Sequence, residues 1–396
     1  MTFSTVALKN VCKVESGAGF PIKYQGLSDQ EFPFFKVGDM NSEGNEKGMY
    51  VFAHSISEEI RKKLSAKAFP AGTVIFPKIG AAIATNKKRV LTRPSCVDNN
   101  VMAIIPSKKV SSDYLFYLFK NKDLSDFANR GNPPSIRKTT IEEWKFPLPS
   151  LPEQKRIAAQ LAQADRLRQL RRNASQLGES YLQSAFLEMF GDPATNSKKL
   201  KLVKFGDVCP SHLGKMLDAR QQTGKHKRPY LRNINVQWNS IDFSDLQEMD
   251  FDEKDRKKYR LKYGDVLICE GGEVGRAAIW KDELAECYFQ KALHRARPNP
   301  KYILPDYVVW LLFMMAKLGG LDDFTSQVTI AHLTGEKLKE LEIPLPPLPE
   351  QERFAQIVAR YEKLRAQMRE STRQAELLFQ GLLALSFTEG LWESFG

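Results

Sequence analysis

Asn132-Pro133-Pro134-Ser135 is the stretch closest to a catalytic motif in the chain. An Asn-Pro-Pro-aromatic tetrad serves amino-methylation: the first side chain and nearby carbonyls take the amino group, and the aromatic ring stacks on the flipped base. Here the fourth residue is serine, so the stacking face is missing. S-adenosylmethionine needs a glycine-rich loop between strand and helix, and Gly271-Gly272-Glu273-Val274-Gly275 lacks a dependable context of that kind. No Gly-x4-Gly-Lys-Ser/Thr loop is present to cradle a nucleotide. Asp252-Glu253-Lys254 imitates part of a nuclease set, but it sits in the densely charged run from Asp250 to Arg260, which reads as a solvated face. The five histidines form no His-Glu-x-x-His. The five cysteines form no Cys-x-x-Cys pair, which argues against a zinc ribbon or a disulfide framework. Cys209 and His212 lack the second pair that a tetrahedral site needs, and Cys12 and Cys209 read as core residues. Neither catalysis nor a bound metal or cofactor is expected.

Binding chemistry is better represented. Lys and Arg number 59 against 47 Asp and Glu, a net charge of +12. Such a balance suits a polyanion, and it equally suits a basic protein with no such partner. Basic clusters occur at Lys87-Lys88-Arg89 and Arg137-Lys138 in the first half, and at Lys225-His226-Lys227-Arg228 and Arg256 to Arg260 in the second. Clusters of this type neutralise phosphates without reading sequence. Base reading needs forked groups, Arg for guanine and Asn or Gln for adenine. Asn99, Asn100, Arg130, Gln290, Arg295, Gln327 and His332 are the candidates, all in polar stretches that differ between the two halves.

What must position these residues is a duplicated scaffold. Pro147-Leu148-Pro149-Ser150-Leu151-Pro152-Glu153-Gln154 returns as Pro344-Leu345-Pro346-Pro347-Leu348-Pro349-Glu350-Gln351, a shift of 197 (351−154). Val6-x-Leu8-x-x-Val11-Cys12 returns at Val203-x-Phe205-x-x-Val208-Cys209 with the same shift (203−6). Gly72-Thr73-Val74-Ile75 returns at Gly264-Asp265-Val266-Leu267, shifted by 192 (264−72). Short apolar strands at Phe32–Val37, Gly72–Phe76 and Val101–Ile105 mix with helical spacing at Ile56–Lys67 and Asp113–Lys120. The expected class is α+β, with two similar globular parts.

After each Pro-Glu-Gln a proline-free segment runs to Phe190 or Phe387. Proline suits a first helical turn, and glutamate suits the positive end of the helix dipole. Each helix is on the order of 58 Å long. Ile157, Leu161, Leu167, Leu177 and Tyr181 make a stripe on the first. Phe354, Ile357, Tyr361, Leu364, Met368, Leu378 and Leu382 make a more regular one on the second. The simplest cover for both stripes is antiparallel pairing of the two helices as a coiled coil, with a pseudo-twofold repeat; the alternative is two helices lying on their own domains. The organisation expected is a globular domain over 1–146, a helical region over 147–197, a second globular domain over 198–343 and a terminal helical region over 344–396. No signal peptide is visible, and the most apolar run, Val308–Ala316, is short of the ~20 residues a bilayer span needs, so a cytoplasmic location without membrane is expected.

The duplicated Leu-Pro-Glu-Gln motif, the long helices after it, Phe190-Gly191-Asp192-Pro193 and the two dissimilar globular parts together resemble the specificity subunit of type I restriction–modification systems. The resemblance covers nearly the whole chain. It implies two target-recognition domains, each reading half of an asymmetric bipartite site in double-stranded DNA, and paired helices acting as a ruler. It also implies docking of two methyltransferase subunits, which supply adenine-N6 methylation, and of restriction subunits with translocase and nuclease activity. On that reading the chain is not an enzyme and binds no cofactor; S-adenosylmethionine, ATP and magnesium belong to the partner subunits. Two other readings stay open from the residues: a recognition module of a fused restriction–methylation enzyme, and a scaffold that binds only proteins.

Overall fold

The computed structural model describes residues 4–218, 223–322 and 332–387. The chain divides into two compact units, Met1–Arg172 with Ser371–Gly396, and Asn173–Glu370. Strands and helices are mixed in both, so the α+β expectation holds.

In the first unit a five-stranded sheet runs in the order Cys12–Ser16, Val101–Pro106, Val74–Pro77, Arg89–Leu91, Gly48–Met49. Its central strands are near-continuous apolar runs because both faces are covered. The two-residue period sorts them. Val74, Phe76, Met102 and Ile104 join Tyr114, Leu118 and Phe119 of the helix Ser112–Lys120, whereas Ile75, Val101 and Ala103 join Phe35, Met49 and Leu91 on the other face. A three-stranded sheet centred on Phe32–Phe35 pairs in parallel with Cys96–Val97, and Ser4–Ala7 pairs with Lys145–Leu148. The chain opens on two strands, Ser4–Ala7 and Cys12–Ser16, separated by a 3-10 turn over Leu8–Asn10. The helix expected over Ile56–Lys67 is shorter, Glu58–Lys63, started by Ser57, whose hydroxyl accepts from Ile60 N at 3.3 Å.

The second unit repeats the plan. Its sheet runs Ser211–Leu213, Leu293–Ala296, Val266–Cys269, Ala277–Ile279, the order of the first four strands above. Val266 and Ile268 face the core under the helix Pro305–Lys317, and Leu267 and Cys269 face the opposite cluster around Trp280. The parallel pair returns as Tyr230 with Tyr288, and the edge pair as Leu202–Lys204 with Glu342–Pro344. The five cysteines are buried and unbridged, as core packing requires. Asp252 accepts from Asp255 N at 2.7 Å and caps the helix Glu253–Tyr259, a structural use of the Asp-Glu-Lys run. The glycines of 271–275 turn a hairpin between two antiparallel strands, so no helix follows to receive a phosphate.

The motif that opens each long helix is a clamp. Gln154 is fully buried; its Oε1 accepts from Ser111 N at 2.8 Å and its Nε2 donates to the Lys109 and Pro149 carbonyls at 3.0 and 2.9 Å. Gln351 does the same with Leu304 N at 2.9 Å and the Tyr302 and Pro346 carbonyls at 3.0 and 2.8 Å. A buried tyrosine hydroxyl adds a bond beside each, from Tyr114 to Pro147 O at 2.8 Å and from Tyr307 to Pro344 O at 2.6 Å. The helices themselves span Leu151–Phe190 and Leu348–Phe387, 40 residues each.

Each unit holds one part of both helices, packed together in opposite directions. In the first unit Ile157, Leu161 and Ala164 share a core with Phe379 and Leu383. Buried Arg168 lies over the Phe379 ring, 4.2 Å from its centroid, and donates to Glu376 at 3.1 Å. In the second unit Phe186 and Phe190 meet Phe354 edge-on at 5.5 and 5.4 Å, and Gly178 accommodates the Tyr361 ring. A Cβ at Gly178 would stand 2.4 Å from Tyr361 Cε2, so the ring would have to shift to admit any other residue there.

The contact stripe differs from the expected one. Ile157, Leu161, Phe354 and Tyr361 are buried, and Ile357, Met368 and Leu382 are half-buried. Leu167, Leu177, Tyr181, Leu364 and Leu378 are instead exposed, by 39, 71, 57, 52 and 50%. The buried positions in their place are Arg168 and Leu182 on the first helix, and Val358, Ala375, Phe379 and Leu383 on the second. Large aliphatic side chains mislead here because small and charged residues occupy part of the true seam. Gln351→Ala leaves Leu304 N–H and two carbonyls without their partner, and is expected to cost about 2–4 kcal/mol. Urea denaturation of the full chain checks this, with exposed Glu352→Ala, expected to change stability by less than about 0.5 kcal/mol, as the reference.

Candidate nucleic-acid interface

Four chain segments converge at one end of the main sheet in the first unit. Lys78 follows the strand Val74–Pro77; its N–H donates to Asn100 O at 2.9 Å and its carbonyl accepts from Ile136 N at 2.8 Å. Gly80 N donates to Pro134 O at 2.8 Å. Gly17 N donates to Val101 O at 3.2 Å, Ala18 N to Val97 O at 3.0 Å, and Asp98 N to Phe35 O at 3.0 Å. Only glycine fits at 17, because a Cβ would lie 2.1 Å from the carbonyls of Val97 and Asp98. Asn129 shapes the last segment, its Oδ1 accepting from Gly131 N at 3.2 Å and Ser135 N at 2.9 Å.

The second unit builds the junction with five matching backbone bonds. Glu270 N donates to Ala292 O at 3.0 Å, and Glu270 O accepts from Leu333 N at 2.7 Å. Gly214 N donates to Leu293 O at 3.0 Å, Lys215 N to Phe289 O at 3.1 Å, and Gln290 N to Leu231 O at 3.0 Å. A Cβ on Gly214 would stand 2.4 Å from Gln290 O. The bridge between Ile79 and Ser135 has its counterpart between Gly271 and His332. Side chains at matched places do not correspond: Ser16, Lys78, Asp98 and Asn100 stand where the second unit has Leu213, Glu270, Gln290 and Ala292. Backbone atoms hold the junction, so its side chains are free to change.

The model of the type I restriction modification DNA specificity domain matches residues 2–176 and again 197–378. The chain belongs to that family. Among curated relatives, the type I restriction enzyme MjaIX specificity subunit of Methanocaldococcus jannaschii is 28% identical over 195 residues, 47% of this chain and 43% of that protein. The EcoBI specificity subunit of Escherichia coli is 23% identical over 279 residues, 63% of this chain and 58% of that protein. These alignments therefore span less than two thirds of either relative. Two solved chains share the fold: one from work on complex assembly and conformational transition of the type I R-M system (TM-score 0.58, 18% identity, 98% of each chain), and the S subunit from M. genitalium (TM-score 0.55, 14% identity, 98% of this chain and 96% of that one). The family's module is one of DNA specificity, not of catalysis.

Within the two specificity domains the sequence candidates separate. Asn99 and Asn100 lie on the junction of the first, Asn99 exposed, and exposed Arg130 lies on the loop that Asn129 shapes. Arg137 and Lys138 are exposed immediately after the junction, where Arg137 precedes the helix Lys138–Glu143. Gln290 and His332 lie on the junction of the second domain, at the places of Asp98 and Ser135; Gln327 lies outside the described residues. Lys225, His226 and Lys227 are exposed together, while Arg228 is turned to Glu286 at 3.1 Å and to Lys227 O at 2.7 Å.

Three expectations of surface cations fail for one reason: each head group is spent inside the fold. Lys88 is buried, donating to Lys122 O at 2.7 Å and to Asn86. Arg89 is half-buried and donates to Met40 O at 2.7 Å and Lys88 O at 2.8 Å. Arg295 is buried against the Phe289 ring and donates to Lys258 O at 3.0 Å. Lys87, beside them, is half-buried and bonded to Asn41. Sequence reading also passed over Lys78, Asp98 and Glu270. Extending the Gly72-to-Gly264 offset by six residues aligns Lys78 with Glu270 and would have exposed them (270−78 = 192).

Among the described residues no group of acidic, histidine or cysteine side chains is placed to hold a metal, and no helix is long and apolar enough to cross a membrane. Burial pushes the Lys88 ammonium down to about 8 from 10.5. The charged form is therefore disfavoured in the fold: the penalty is complete below about pH 8 and vanishes as pH rises to 10.5. Relative to Lys88→Met, the wild-type chain is expected to gain stability across that window, by about 3 kcal/mol in all, in urea titrations at stepped pH.

Proposed function

We propose that this chain reads DNA sequence for a type I restriction–modification complex, one specificity domain to each half of a bipartite, asymmetric site. The observation that carries the reading is the junction made twice by the same backbone hydrogen bonds around four different side chains. A scaffold kept while its polar surface is replaced is what two readers of different sequences need. Exposed cations, Arg137 and Lys138 just after the junction in one domain and Lys225 and Lys227 in the other, neutralise backbone phosphates and set position without reading bases.

The long helices serve assembly and set the spacing of the half-sites. In the first unit a groove of ≈ 510 Å³ runs along them, lined by Leu167, Leu170, Leu378 and Leu382 with Gln160, Gln163, Ala164 and Arg166. Leu170 and Leu378 are 55 and 50% exposed, more apolar surface than a free helix pair keeps without reason. Two methyltransferase subunits dock on such helix surface, and restriction/translocase subunits join them. S-adenosylmethionine, ATP and magnesium act on those partners, and the complex works in the cytoplasm with its DNA.

Single-molecule mapping of adenine methylation in cells with the partner methyltransferase, with and without this chain, tests the reading. A bipartite asymmetric motif that vanishes on deletion is expected; unchanged methylation by an active partner overturns it. Exchange of residues 198–343 for another such domain changes one half of the motif and leaves the other. The double variant Leu170→Asp, Leu378→Asp is expected to lose methyltransferase co-purification while its denaturation midpoint stays close to wild type, since both positions are exposed.

A further inference from the structure

The junction places one half-buried ionisable side chain at the same backbone position in each domain, and the two are opposite in charge. Lys78 Nζ donates to Ser16 Oγ at 2.8 Å, beside buried Asp98, whose Oδ1 is taken by Asn100 N at 2.9 Å. One neutral partner leaves two of the three ammonium N–H bonds for something else. Burial draws the Lys78 pKa down, and Asp98 opposes that fall. In the second domain the Glu270 carboxylate makes no hydrogen bond or ion pair with any described residue, although the residue is half-buried and its charge acts on buried His294. Ala292 and Leu213, at the places of Asn100 and Ser16, offer it no side-chain donor. The peptide groups of Lys78 and Glu270 are fixed on both sides, by Asn100 and Ile136 in one case and Ala292 and Leu333 in the other. Rigid backbone with an unsaturated polar side chain at a converging loop end is the arrangement that recognition sites use.

We infer that Lys78 and Glu270 are paired specificity determinants of opposite sense, Lys78 donating to the acceptor edge of a guanine in one half-site and Glu270 accepting from a cytosine amino group in the other. The guanine major-groove edge carries two acceptors, N7 and O6, which suit an ammonium. The cytosine edge carries the N4 donor, which a carboxylate takes and an ammonium repels. The exchange of Asp98 for Gln290 at the matched place follows the same inversion, because a second carboxylate there would repel Glu270 with no lysine to offset it. This inference rests on the DNA-reading function proposed above.

The test uses the whole chain assembled with its methyltransferase subunits. Methylation at sites that differ from the target by one base is compared, by single-molecule sequencing, for wild type, Lys78→Met, Lys78→Arg and Glu270→Gln. Lys78→Met is expected to relax one guanine position in one half-site by roughly 10- to 100-fold, and Lys78→Arg to keep it. Glu270→Gln is expected to relax one cytosine position in the other half by a similar factor. A ratio equal to wild type in either Lys78→Met or Glu270→Gln overturns the inference, as does an equal loss at every position, which marks damage to the fold or to phosphate contacts. A wild-type assembly that shows no bipartite motif overturns the function itself, and does so before any variant is read.

Discussion

Both long helices begin where a buried glutamine tells them to. Gln154 and Gln351 each fill three hydrogen bonds, one to an amide of the segment that leads into a globular-domain helix and two to carbonyls that would otherwise be stranded. The bonds tie three pieces of chain, the end of the last strand, the loop before the buried helix and the first turn of the long helix. Everything downstream takes its register from that knot. A helix of 40 residues has no other fixed origin, and a start displaced by one residue would rotate every later side chain by about 100°.

From that origin the helices meet through a seam that is partly small and partly charged. Gly178 lets Tyr361 lie against the backbone, and Arg168 covers Phe379 while bonding to Glu376. A buried arginine with an aromatic platform and acidic neighbours satisfies its charge locally. Within each unit such a contact fixes one alignment of the helix parts, since a slide by a turn would set Tyr361 against a residue with a Cβ in the second and leave Arg168 without its acid in the first. Leu167, Leu177, Leu364 and Leu378 are then left exposed.

The duplication, the α+β class and the two long helices were legible in the sequence because they depend on repeated apolar spacing and on Pro-Glu-Gln. The seam was less legible. Leu364 and Leu378 attract a heptad reading, while the buried positions include Ala375 and Arg168, residues that hydropathy does not mark. Surface chemistry was hardest to read. Lys87-Lys88-Arg89 has the composition of a phosphate patch, yet Lys88 and Arg89 close onto carbonyls of the fold, and nothing in a run of cations says which way each will turn. Asn99, Asn100, Gln290 and His332 did come to one kind of place, because loops that differ between otherwise matched halves are where a scaffold can afford difference.

The near-contact of Gly17 with Val97 and Asp98, repeated by Gly214 with Phe289 and Gln290, reaches beyond the geometry of a single chain. At these points one strand of backbone touches another with no side chain between them. A joint of that kind carries no memory of which side chains surround it. Segments borrowed from a distant relative can be spliced beside it and still find their place, provided the glycine comes with them. New recognition can therefore arise by recombination of loops, without the fold being solved again.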